Sequence, residues 1–298
     1  MPHSPVEPTD AFTIDVEDWF HILDVRGTPS IPKWEAMPSR VERNFRALLV
    51  LLARHRIRAT CFFLGWVAEK FPHLVREATD AGHEIASHGY AHRLIFEQSE
   101  TEFFDDVRRT KALLEDISGG PVLGYRAAGF SMVRETPWAL ERLAAAGYRY
   151  DTSIFPQVRG HGGLPGASLR PTRVETQSGS IIEFPISMSE IAGRRICLFG
   201  GGYLRLSPYG LIRTMTERAH REGRFIVFYV HPREIDPEQP RLPMSPWRHF
   251  KSYVNIRGTE AKLLRLFSDF RFKPLCEFLD AAVMDSAPPP ARAVHQGS

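Results

Sequence analysis

The stretch Ala11-Phe12-Thr13-Ile14-Asp15-Val16-Glu17-Asp18 decides how this 298-residue chain is read. Its first part is apolar and β-branched, which predicts a short buried strand. Three carboxylates, Asp15, Glu17 and Asp18, stand in its last four residues. The carboxyl end of a buried strand is where α/β folds collect their chemistry. A solvated acidic turn is the plainer alternative, and the segments further along the chain weigh against it.

Outward from this strand, further strand patterns fall near residues 58–64, 83–88, 122–126, 181–187 and 225–231. Helical spacing joins Val41, Phe45, Leu48, Leu49 and Leu52, then Phe103, Val107, Leu114 and Ile117, then Leu263 and Phe267. Strands alternating with helices predict an α/β fold, and the length suits one barrel-sized domain with elaborations. No internal repeat is present. The expected organisation is a single domain over residues 1–285, elaborated from about 236 onward, and a disordered Pro-rich tail over 286–298. Residues 157–172, rich in Gly and Pro, read as a loop, and 191–206 and 245–257 read as loops over the rim. The Gly run at 200–202 is followed by no Lys-Ser/Thr, so it is no phosphate loop.

Lys and Arg number 38 against 35 Asp and Glu, a net charge of +3, too mild to argue for nucleic-acid binding. The three cysteines, Cys61, Cys197 and Cys276, form no framework, and so sparse a count fits a reducing compartment. The first residues show no charged-then-apolar leader, and no window reaches transmembrane length. The expectation is a cytoplasmic protein without an integral membrane segment.

The second half of the site is His88-Gly89-Tyr90-Ala91-His92. Histidines four apart reach one ion from a helical turn or from a loop leaving a strand. Gly89-Tyr90-Ala91 does not read as helix interior, so the loop is expected. His88, His92 and one of Glu17 or Asp18 form an open three-ligand set that leaves room for water and a substrate oxygen. Period-two alternation places Glu17 on the face of Asp15, while a turn after Val16 would bring Asp18 in instead. Next comes Gly124-Tyr125-Arg126-Ala127-Ala128-Gly129-Phe130. Beside a carboxylate, Arg126 would hold that group ionised, and Gly129 would let a backbone N–H approach a substrate oxygen. The apolar strand Phe225–Val230 ends in His231-Pro232, again at a strand end. Asp151 is the carboxylate expected to orient His231.

In this order, the segments 15–18, 87–92, 126–130, 150–151 and 229–231 resemble the five motifs of the polysaccharide deacetylases, the NodB-homology carbohydrate esterases. The resemblance runs over residues 10–235. Asp15-Val16-Glu17-Asp18-Trp19, Tyr150–Pro156, Glu183-Phe184-Pro185 and the segment 247–255 are similar to a subfamily associated with bacterial exopolysaccharide loci, exosortase-linked ones included. Three departures stand out, one of them the Pro-Arg-Glu that follows His231 and changes the charge at the rim. The first motif lacks the usual Asp-Asp-Gly, and Ala128 occupies the place of a proline.

The resemblance implies a distorted (β/α) barrel with rim loops, of seven rather than eight units. It implies a hydrolase that removes N-acetyl groups from sugar units, using a divalent metal: zinc foremost, with Co, Ni or Mn as alternatives. Asp15 would be the base, Arg126 its partner, and His231, supported by Asp151, the acid that protonates the leaving amine. Gly129, Phe130, Tyr203 and Trp247 would contact an N-acetylated glycan. Two other readings remain: a cyclic amide or imide hydrolase of the same superfamily, and a glycan-binding pseudoenzyme.

Overall fold

The expected first strand forms as β1, Thr9–Val16, buried along nearly its whole length. The computed structural model describes residues 8–280 apart from 24, 26, 159 and 161, so the tail at 286–298 lies outside the described residues. After β1 come β2 (Thr60–Phe63), β3 (Glu84–Ser87), β4 (Gly124–Tyr125), β5 (Tyr150–Asp151), β6 (Thr172–Thr176) and β7 (Gly179–Glu183). The remainder are β8 (Ser189–Ile191), β9 (Arg194–Ile196), β10 (Val227–Val230) and β11 (Arg271–Lys273). The helices are α1 (Val41–Arg54), α2 (Gly65–Lys70), α3 (Pro72–Asp80), α4 (Glu100–Ser118), α5 (Ala139–Ala145), α6 (Gly201–Leu206), α7 (Tyr209–Arg221), α8 (Pro246–Tyr253) and α9 (Thr259–Asp269).

Seven strands run parallel in the order β10-β1-β2-β3-β4-β5-β7, with β6 antiparallel at the edge and β11 paired to the start of β1. This is the α/β, seven-unit arrangement expected. Alternation along the strands sorts the core into two layers. Phe12, Ile14, Val16, Cys61, Phe63 and Phe228 face the helices. Ala11, Phe62, Ala86, Ile182 and Val227 face the interior, which Leu275, Phe278 and Leu279 plug. Asp15 shares the inward face of β1 with Ala11 and Thr13, so its carboxylate emerges at the carboxyl end of the barrel.

Among the described residues no ladder joins β7 to β10, and that seam is the distortion. It is bridged instead by the chain between them. Ser187 Oγ accepts from Val227 N at 2.8 Å, and the Phe199 carbonyl accepts from Tyr229 N at 3.2 Å. The approach needs Gly200, where a Cβ would stand 2.0 Å from the Tyr229 ring.

The helix readings hold: α1 buries Val41, Phe45, Leu48 and Leu52, and α4 buries Phe103, Val107 and Leu114. Ser99 and Glu102 form a capping box on α4, and Gly119 ends it in a left-handed turn. Three expectations differ. The stretch at 191–206 is not one loop but the β8–β9 hairpin and α6, and 245–257 contains α8. The strand expected over 181–187 ends at Glu183, because Pro185 offers no ladder donor. β5 and β6 were not expected: β5 is two residues long, and β6 has one apolar residue among polar ones. Among the described residues no helix is long and apolar enough to cross a membrane.

Candidate active site

At the carboxyl end of the barrel lies an open cleft of about 560 Å³ whose floor carries Asp15, Glu17, His88, His92 and His231. Asp15 is buried, and its Oδ1 accepts from Arg126 Nη1 at 2.6 Å. The same nitrogen donates to Thr13 Oγ1 at 2.8 Å. Arg126 is itself fully buried, its guanidinium 4.2 Å from the Phe62 ring centre inside the barrel. Its Nε and Nη2 have no hydrogen-bond partner. Asp15 is therefore the close counter-charge of a buried cation, and the pair fixes the carboxylate in position.

Glu17 follows β1 after a tight turn in which its N–H reaches the Asp15 carbonyl at 2.9 Å. Its Oε1 lies 3.1 Å from Nε2 of His88, 3.1 Å from Nε2 of His92 and 3.7 Å from Nε2 of His231. Burial works to raise this carboxyl, but the charges of neighbouring His92 and His231 outweigh it and hold it well below the usual range. His88 leaves β3 directly, and the loop to His92 passes through left-handed Gly89 and a left-handed His92 at φ 53°. That conformation is strained for a residue with a Cβ, as at many functional sites.

The donor set suits a cation. His88 Nδ1 lies 2.7 Å from the Arg126 carbonyl. A carbonyl only accepts, so Nδ1 carries the proton. A neutral His88 then aims a bare Nε2 lone pair at a carboxylate oxygen, a repulsion that a positive ion between them relieves. The nearest ligand atoms of Glu17, His88 and His92 lie within 4.8 Å of one another, close enough for one ion.

Asp18, the alternative ligand, is turned away. Its carboxylate accepts from Trp19 N, Arg40 N, Val41 N and Ser39 Oγ, which caps the turn at residues 19–21 and anchors the start of α1. A carboxylate saturated by backbone donors has no oxygen for an ion, so the structure separates Asp18 from the ligand group.

His231 stands at the end of β10 with Nε2 3.8 Å from Asp15 Oδ2. The carboxylate beside its Nδ1 is Glu234 at 3.6 Å, not Asp151. Asp151 Oδ1 and Oδ2 accept from Ser153 Oγ and N, and Ser153 Oγ accepts from Ala127 N at 2.8 Å. Asp151 thus steadies the Arg126–Phe130 turn together with its neighbour Glu183, and contact with His231 is not among its interactions. Burial, then the charge of Asp151, pushes Glu183 well up, so that it stays protonated against Asp151. Burial opposes the charged form of His231, but Glu17, Glu234 and Asp15 outweigh it and raise its pKa. Glu234 is held down at about 2: burial opposes, and Arg205 and His231 prevail. Arg205 Nε lies 3.2 Å from Glu234, and its Nη1 and Nη2 donate to the carbonyls of Ser252, Val254 and Lys251. The pattern His-Pro-Arg-Glu, a capping box with Pro inside it, was the available sign of Glu234.

Gly129 and Phe130, both with positive φ, line the cleft beside Tyr229. Tyr203 and Trp247 line its mouth, 42% and 64% exposed, and Trp247 stacks on Phe250 with ring centres 5.7 Å apart. His21, which sequence reasoning missed, lies in the wall and is 1% exposed.

A family profile described as Polysaccharide deacetylase matches residues 33–150, and a second, Domain of unknown function (DUF3473), matches 152–280. The first segment holds His88, His92 and Arg126 and the second His231, while Asp15 and Glu17 precede both. Over 96 residues the chain is 31% identical to the peptidoglycan-N-acetylglucosamine deacetylase of Bacillus cereus, covering 32% of this chain and 35% of that protein. Over 108 residues it is 30% identical to the peptidoglycan deacetylase of Helicobacter pylori, covering 36% of each. The match thus spans about a third of the length of these curated relatives. The fold resembles that of a provisionally named polysaccharide deacetylase from Mycobacterium smegmatis, with a TM-score of 0.63, 19% identity, and 97% and 99% of the two chains covered. It also resembles that of the PuuE allantoinase, with a TM-score of 0.61, 15% identity, and 94% and 92% covered. Residues 33–150 thus match the polysaccharide deacetylase family, and seven parallel strands carry the cleft around which that match and the fold resemblance converge.

Proposed function

We propose that this protein removes N-acetyl groups from N-acetylated sugar units of a bacterial polysaccharide or its precursor, with a divalent metal held by Glu17, His88 and His92. The observation that carries the reading is the convergence on one cleft of a base, a ligand group and an acid from β1, β3 and β10: Asp15, Glu17 with His88 and His92, and His231. Zinc is the metal its nitrogen-and-carboxylate set suits best.

The metal, when bound, polarises the acetamide carbonyl and makes water more acidic. Asp15, held in place by Arg126, takes a proton from the attacking water. The water oxygen bonds to the acetyl carbon, the C–N bond breaks, and His231 gives a proton to the departing nitrogen. Acetate and a free amine result. Gly129 turns the backbone close to the acetyl oxygen, and Phe130 packs the floor. Tyr203 and Trp247 offer aromatic faces to flanking sugar rings.

The relatives' names supply N-acetylglucosamine as the sugar, and the similarity of 15–19 and 150–156 to the exopolysaccharide-associated subfamily supports an exopolysaccharide or its cytoplasmic precursor as the polymer. The wide cleft and exposed aromatic mouth favour a chain of rings over the small cyclic amide of the sibling reading. Incubation of the zinc-loaded protein with an N-acetylglucosamine oligomer should release acetate and amine in equal amounts, and chelation should stop the release. A metal-loaded protein that releases neither from any N-acetylated glycan overturns the proposal.

A further inference from the structure

His21 is a buried polar side chain that the reaction just described does not use. It closes the short turn after β1, and its Nδ1 accepts from the backbone N–H of Asp18 at 3.1 Å. Accepting at Nδ1 leaves the proton of a neutral imidazole on Nε2. That Nε2 is buried and has no hydrogen-bond partner, while the residue lines the cleft. The ring is clamped by Trp34 at 4.3 Å, Phe20 at 4.5 Å and Trp66 at 5.6 Å between centroids, so it cannot swing away to find a partner. On the cleft side its ring centre is 6.2 Å from that of His92.

A buried donor left unpaired is costly, and native proteins keep one where a ligand completes it. The ring is preorganised on both sides: a backbone donor fixes its tautomer and three aromatic rings fix its orientation. Its one unpaired donor is the neutral N–H at Nε2, in a ring that lines the cleft beside His92 with Ile22 and Leu23 next to it in the wall. This suits an uncharged oxygen acceptor, as on a sugar hydroxyl or acetamide, better than it suits an ion.

We propose that His21 is a substrate-binding residue whose Nε2–H donates to an oxygen of the sugar unit held at the reacting centre. The proposal rests on the deacetylase reading and adds a contact made by the sequence Asp18-Trp19-Phe20-His21. The two ring nitrogens separate its tasks. In His21→Asn the amide oxygen takes over the Nδ1 position and keeps the bond from Asp18 N, but nothing reaches the cleft. In His21→Gln the amide nitrogen occupies the Nε2 position and restores the donor.

The test measures acetate release from an N-acetylglucosamine tetramer, metal content and thermal unfolding for the three proteins. It also measures tetramer binding by calorimetry in the Asp15→Asn background, where no turnover interferes. Expected for His21→Asn is unchanged metal content and folding, with kcat/KM and tetramer affinity each lowered about tenfold or more. His21→Gln should recover most of that loss. His21→Asn with unchanged kcat/KM and affinity overturns the proposal while the deacetylase reading stands. Equal losses in His21→Asn and His21→Gln also overturn it, since restoring a donor at the Nε2 position then makes no difference. No acetate from the unmodified protein overturns both.

Discussion

The carbonyl oxygen of Arg126 lies 2.7 Å from Nδ1 of His88, while the guanidinium of the same residue holds Asp15 at 2.6 Å. One residue therefore orients a candidate metal ligand through its backbone and the candidate base through its side chain. The two tasks are separable by substitution. Arg126→Lys keeps the charge and the carbonyl but lacks the planar guanidinium that rests on Phe62 and carries Nη1 to Thr13 and Asp15. Turnover should fall about 10²-fold or more with metal content near normal. Loss of metal in proportion to activity would show that the side chain, not the carbonyl, orders the ligand histidines.

The two carboxylates at the start of the chain should also part company. Glu17→Gln should lose most of its metal, because Oε1 is the atom on which His88 and His92 converge. Asp18→Asn should keep its metal and lose about 1 kcal/mol of stability, the usual net worth of a hydrogen bond, because one of its two accepting oxygens becomes a donor. Metal analysis and thermal unfolding of the two variants decide the matter. A metal-free Asp18→Asn with native stability would reverse the assignment.

If Asp15 acts ionised and His231 protonated, the rate is bell-shaped in pH, and the alkaline limb reports His231. Glu234 stands 3.6 Å from its Nδ1 and favours the charged ring. Removing that negative charge lowers the pKa of a cationic acid, so Glu234→Gln should move the alkaline limb to lower pH. The acid limb should stay in place. An alkaline limb that keeps its position in the variant would assign the acid to another group.

Much of this site was legible because its residues stand directly at strand ends. Alternation along β1 pointed to Glu17 and a turn after Val16 to Asp18, which left the choice to the structure, while His88 follows β3 without a gap. Arg126 follows β4 in the same way. The support of His231 was not legible by the same logic. Asp151 also ends a strand, but β5 is four places round the sheet from β1 on the side away from β10. Spatial adjacency depends on strand order, which the linear sequence does not display. The carboxylate that does approach His231 is three residues further on, brought back by a single turn of 3-10 helix. The seam between β7 and β10 was hidden for another reason: it is made of one side-chain and one backbone bond in irregular chain, with no periodicity to read.

The buried pair Glu183 and Asp151 predicts how folding stability changes with pH. Burial, reinforced by the negative charge of Asp151, raises the Glu183 pKa in the folded protein well above its unfolded value. An acid raised on folding contributes stability that is complete below its unfolded pKa and is lost as pH climbs toward the folded one. Glu183→Gln removes this titration while keeping an oxygen for Ile154 N, which now bonds Oε1 at 3.0 Å, and an amide donor for Asp151. The stability of the variant relative to the unmodified protein should therefore grow with pH from about 4.5 upward, by at most about 1.4 kcal/mol per pH unit. Denaturant unfolding at a series of pH values measures it. A stability difference that is flat over pH 5 to 8 would mean that Glu183 does not carry the shared proton.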